Sequence, residues 1–172
     1  MIESKNRALH DVRACGVLRH PDTYNWLIAR GYAPGGMWHL PGGGPEDGEP
    51  PSETVVRELG EEFGVTVDVE PELAAVSWTA PSCPSARAKV TFVFDLGIMQ
   101  PGTVITPLKA EIAEYAWRHP RELDSRLHPF DAERTTSILT GSARSPIAYL
   151  EQLRKNSAAT RGRRSTHGAQ TR

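Results

Sequence analysis

A layered α/β domain is the fold class predicted for this chain of 172 residues, on three observations. Two β-forming runs come first, one amphipathic helix follows a long glycine-rich loop, and further β-forming runs lead to helical patterns near the C-terminus. The length suits one domain with a real core and is short for two.

Residues 11–19, "DVRACGVLR", and 23–30, "TYNWLIAR", read as strands joined by an "HPD" turn. Residues 31–51 are too dense in Gly and Pro for regular structure, and a loop of that length points to function. A helix is predicted over 51–63, where Pro51 suits the first turn and Gly64 the C′ position. "VTVDV" (65–69), "ELAAVSWT" (72–79) and "AKVTFVFDL" (88–96) read as strands, with "APSCPSA" (80–86) a loop between the last two. After a loop at 101–111, a strand is expected at 112–118 and a short helix at 119–125. Two more helices fit 131–140 and 145–156, and residues 156–172 form a tail.

Composition narrows the partners. Hydrophobic content of 38% with 24% charged residues is that of an ordinary soluble domain. The tail holds four Arg and no acid, leaving 16 basic against 21 acidic residues in 1–155. Such an acidic body is unsuited to nucleic acid. The tail is expected to be disordered, contact with RNA or an acidic partner being the alternative. Cys15 lies in an apolar run and Cys83 in a Pro/Ser loop, without metal-ligand spacing; a disulfide between them is the weaker reading. No secretory or membrane-spanning segment is visible, so the cytoplasm is the expected compartment.

The stretch "RELGEEFG" (57–64) carries the chemistry. At 100° per residue, Glu58, Glu61 and Glu62 share an arc about 100° wide, beside an apolar face of Val55, Val56, Leu59 and Phe63. Stacked like charges gain a helix nothing, and Gly60 costs it roughly 1 kcal/mol. A hard cation among the carboxylates would supply the missing counter-charge, because Mg2+ takes a few carboxylates plus water and substrate phosphate. A solvated acidic face is the alternative.

Upstream spacing joins these glutamates to a pattern: Gly43, five residues, Glu49, seven residues, Arg57-Glu58-Leu59, one residue, Glu61-Glu62, one residue, Gly64-Val65. With its lead-in "MWHLPGG", this resembles the signature of the Nudix (MutT-like) hydrolase family at every fixed position. The resemblance implies a single-domain α/β/α sandwich around a mixed β-sheet, spanning 1–155. It also implies hydrolysis of the diphosphate linkage of a nucleoside diphosphate derivative, such as a nucleotide sugar, an ADP-ribose-like compound or a nucleoside triphosphate. Mg2+ would be the cofactor, with Mn2+ a possible substitute, and homodimers are common in the family. A nucleotide-sensing domain without turnover is the alternative.

Carried over, Glu58, Glu61 and Glu62 would be metal ligands or partners of water bound to the metal, and the Gly42 carbonyl a further ligand. Arg57 and Glu49 would pair, holding the loop on the helix and orienting Glu58. Glu111, six residues before Trp117, resembles the extra loop glutamate of MutT-like members; Glu114 reads as a strand residue. Arg30 could bind substrate phosphate or form a surface salt bridge, and His39 could touch phosphate. Trp38 reads as a loop anchor. Pro50 cannot cap the helix by its side chain, so Ser52, Thr54 or the backbone must compensate. Crowding should raise carboxylate pKa values without metal, and activity should fall in mild acid.

Overall fold

The computed structural model describes residues 8–140 and 147–152. The elements are β1 (His10–Arg19), β2 (Trp26–Arg30), β3 (Gly42–Gly43), α1 (Pro51–Phe63), β4 (Glu72–Thr79), β5 (Ala88–Ile98), β6 (Glu114–Arg118), a 3-10 turn (Pro120–Glu122), α2 (Pro129–Thr140) and β7 (Ala148–Gln152). The strands form one mixed sheet in the order β6-β2-β1-β5-β4-β7, with β3 attached to β1. The pairs β1–β5 and β4–β7 are parallel; the others are antiparallel.

Strand alternation divides the core into two layers. On one face, Ala14, Leu18, Leu27, Ala29, Phe94 and Leu96 meet Val55, Leu59 and Phe63 of α1. On the other, Cys15, Val17, Trp26, Ile28, Ala75 and Val93 meet Leu123, Leu127 and Ala132 of α2 and the segment before it. The result is the expected α/β/α sandwich. A Cβ on Gly16 would strike Leu96 and Val55, so glycine there lets α1 sit close to the sheet.

Both ends of α1 are fixed by recognisable devices. At the start no side chain caps it; the Glu53 and Thr54 amides both donate to the Pro50 carbonyl at 3.0 Å. Buried Thr54 donates its hydroxyl to Glu49 Oε2 at 2.9 Å, which ties the first turn to the loop; no side chain caps the helix, and backbone bonds to the Pro50 carbonyl close it. At the end Gly64 has φ +66, and its amide donates to the Gly60 carbonyl at 2.9 Å.

Four readings of the sequence need correction. Residues 145–156 do not form a helix where described: Ala148–Gln152 are the edge strand β7, parallel to β4. Residues 65–69 form no strand; Val65 and Val67 do pack into the core, but among the described residues no strand pairs with the segment. The second strand starts at Trp26 rather than Thr23, because Tyr24 takes φ +58 in the preceding turn. Finally, the glycine-rich loop contains ordered pairing. β1 and β2 meet only at Arg19–Trp26, and further along β3 pairs with β1 while His39 bridges to Ala29. The predicted tail, 156–172, lies outside the described residues.

Candidate active site

Arg57 ties the loop to the helix. Its Nε donates to Glu49 Oε1 at 2.8 Å, its Nη1 to Glu61 Oε2 at 2.9 Å, and its Nη2 to the Gly44 carbonyl at 3.0 Å and Glu58 Oε1 at 3.2 Å. Only a planar fork of five donors can serve so many acceptors at once. The Arg57 guanidinium, with help from the Glu46 amide, holds the Glu49 carboxyl down at about 2. The pairing expected from the motif is therefore present, and it reaches Glu58 directly. Gly43 leaves room for this arrangement: a Cβ at this position would displace the Glu58 carboxylate from where Arg57 holds it.

Glu62 is the most perturbed acid. It is buried, Gly42 donates its amide to Oε2 at 3.1 Å, and no cation pairs with it among the described residues. Burial raises its pKa to about 7, and the charges of Glu58 and, more weakly, Glu111 push the same way. The Gly42 amide and Arg13 oppose them. Mutual repulsion thus contributes as expected, but desolvation is the larger cause. Gly42 itself has φ +132, and a Cβ there would strike the backbone of β1, so no other residue presents this amide without displacing the strand.

Glu111 is brought to the same cleft by the end of α1. The Thr106 amide donates to the Phe63 carbonyl and the Leu108 amide to the Glu62 carbonyl, both at 2.8 Å. These bonds satisfy two of the helix's terminal carbonyls and dock the loop that carries Glu111. The Glu111 amide then closes a turn on the Leu108 carbonyl at 3.0 Å. The cleft has a volume of about 790 Å³ and is lined at this end by Gly42, Gly43, Glu58, Glu62 and Glu111.

The remaining candidates divide. His39 lines the cleft, but burial lowers its pKa and its Nδ1 lies 3.0 Å from the Leu40 carbonyl. Glu61 is turned toward Arg57 and does not line the cleft. Arg30 lies outside it as well: the guanidinium pairs with Glu114 at 2.7 Å and stacks over Trp38 at 5.6 Å, which is the surface salt bridge of its two readings. The Gly42 carbonyl accepts from Arg13 Nη2 at 2.6 Å. Cys15 and Cys83 are both free thiols, the first buried and the second exposed.

Sequence reasoning missed Arg13, Lys89 and Arg134, all of which line the cleft. A signal existed for two of them. Arg13 shares strand parity with Cys15 and Val17, and Lys89 with Thr91 and Val93, so both are charges at positions that otherwise face the α2 layer. Arg134 is buried on α2 and donates to Ser77, Thr79, Thr91, Gln152 and Asp131.

Among the described residues no three Asp, Glu, His or Cys side chains stand close enough to enclose a metal ion. The donor chemistry still fits a hard cation. Glu62 is buried without a cationic partner, Glu58 and Glu111 face the same cleft, and Mg2+ fills much of its coordination with water and phosphate.

The NUDIX domain family model matches residues 9–138. A MutT-like protein of Streptomyces ambofaciens is 31% identical over 140 residues, covering 81% of this chain and 84% of that one. A protein of Mycobacterium tuberculosis, provisionally named 8-oxo-dGTP diphosphatase 3, is 33% identical over 125 residues, or 70% of this chain and 55% of that longer one. The crystal structure of a MutT protein from Methanosarcina mazei Go1 shares the fold, with a TM-score of 0.65 at 20% identity over 78% of this chain and 96% of that one. No helix among the described residues is long and apolar enough to cross a membrane. With the family model covering most of its length and the motif's Gly43, Glu58 and Glu62 lining one cleft, this chain belongs to the Nudix family of hydrolases.

Proposed function

We propose that the chain is a divalent-metal-dependent pyrophosphohydrolase acting on the diphosphate linkage of a nucleoside diphosphate derivative. One observation carries the reading: Glu58, Glu62 and Glu111, from a helix and from the loop that helix docks, face a single cleft. Glu58 and Glu62 would hold Mg2+, or Mn2+ in its place, with the second lone pair of the Gly42 carbonyl available beside them. When bound, such a cation polarises phosphate oxygens and lowers the pKa of water.

The chain's own groups supply positioning, which dominates this class of chemistry. Arg57 fixes Glu58, and Glu49 and Glu61 hold Arg57 in turn. The Gly42 amide orients Glu62. Glu111 is the acid best placed to take the proton from attacking water, since its loop is pinned to the end of α1. His39 lines the wall, and Arg30 stabilises the neighbouring edge rather than the cleft.

The test is a product-resolved screen in Mg2+ covering ADP-ribose, NADH, dinucleoside polyphosphates, nucleoside triphosphates, nucleotide sugars and prenyl diphosphates. Cleavage of a nucleoside substrate between two phosphates is the expected result. Tight binding with no turnover in Mg2+ or Mn2+ would instead establish a sensing domain.

A further inference from the structure

Beyond the glutamates, the cleft is lined by four cationic side chains, Arg13, Arg87, Lys89 and Arg134. Two of them have acidic partners: Arg134 pairs with Asp131, and Arg87 lies 3.7 Å from Asp11. Arg13 and Lys89 have no carboxylate within ion-pair distance among the described residues. Arg13 is half-buried, and its one acceptor there is the Gly42 carbonyl. A guanidinium with five donors, partly withdrawn from water and given a single carbonyl, is short of an anion.

The sheet sets the two cations side by side. β1 and β5 are parallel neighbours in which Arg13 pairs with Thr91 and Asp11 with Lys89. Arg13 and Lys89 therefore stand on the same face of adjacent strands, offset by two residues, with Cα atoms roughly 8 Å apart. Arg13 is the nearer to the chemistry, because Gly42 bonds it through the carbonyl and Glu62 through the amide. Lys89 is exposed, and Ser82 and Ala86 of the loop before β5 line the same cleft.

We propose that Arg13 and Lys89 form an anion subsite for a phosphate beyond the scissile diphosphate, so that the chain prefers nucleoside triphosphates to diphosphates ending in a neutral sugar. This rests on the pyrophosphohydrolase reading. In the reaction, water adds to the nucleoside-bearing phosphorus and the bridging P–O bond breaks. The electron pair leaves with pyrophosphate, a proton is released, and nucleoside monophosphate remains. Arg13 meets the phosphate next to the bond, and Lys89 the terminal one of the departing pyrophosphate.

Lys89 is exposed, so its replacement leaves the fold intact. Isothermal titration of an α,β-methylene nucleoside triphosphate and of the matching α,β-methylene nucleoside diphosphate, which lacks the terminal phosphate, into wild type, Lys89→Gln and Lys89→Glu decides the matter. The expected result is a loss of about tenfold for the triphosphate in Lys89→Gln, more in Lys89→Glu, and less than about twofold for the diphosphate. Equal losses for both ligands, no loss for either, or failure of wild type to bind the triphosphate would overturn the subsite. If the binding pattern holds but wild type cleaves no nucleoside substrate, the subsite stands and the pyrophosphohydrolase reading falls.

Discussion

Lysine in place of Arg57 would keep the charge and remove the fork. It cannot hold Glu49, Glu58, Glu61 and the Gly44 carbonyl together, so Arg57→Lys should lower kcat about 10- to 100-fold while the protein stays folded. Steady-state kinetics beside a thermal melt checks this. Glu62 gives a pH prediction with a definite sign. Its folded pKa of about 7 lies above the ordinary value of 4.5, so between these values the native state binds the extra proton. Metal-free stability should therefore fall as pH rises across that window, and Glu62→Gln should remove that part of the slope. Urea titrations of both proteins at several pH values would show it; parallel slopes would mean that Glu62 titrates normally. The Arg57–Glu49 pairing was legible because the resemblance to the family's motif implies it. The burial of Glu62 was not, since it depends on β3 lying against β1.

Elements with local punctuation were legible. The sequence bounds of α1 agree with the structure at both ends because Pro51 and Gly64 mark them, and those of β4 agree as well. β7 was not legible: its alternation puts Ala148, Leu150 and Gln152 inward, yet the pairing that stabilises it comes from β4, over seventy residues earlier. The helix also explains why its two glycines should respond in opposite ways. Nothing stands within 3.4 Å of a Cβ at Gly60, the residue is exposed and its φ is not positive, so Gly60→Ala should add about 1 kcal/mol of stability. Gly64→Ala forces a side chain into the left-handed region and against Thr106, and should cost about 1–2 kcal/mol. Differential scanning calorimetry would separate the two. Nothing in the structure explains why glycine stands at position 60.

The whole molecule depends on a polar junction between α2 and the far half of the sheet. Buried Arg134 and Gln152 join α2 to β4, β5 and β7 through Ser77, Thr79 and Thr91. Removing the guanidinium would strand these groups, so Arg134→Ala should destabilise the protein by about 3 kcal/mol. The half of the cleft lined by Glu58 and Glu62 was legible because one motif carries both, and Glu111 followed by resemblance. The cationic half comes from β1, β5 and α2, distant in sequence and joined only by the fold. The proposed role of Glu58 and its neighbours in diphosphate hydrolysis is tested most directly by the Mg2+-dependent initial rate of wild type against Glu58→Gln on the best nucleoside substrate, with matched circular dichroism spectra. A fall of about 100-fold is predicted. An unchanged rate in the folded variant would mean that Glu58 takes no part in hydrolysis.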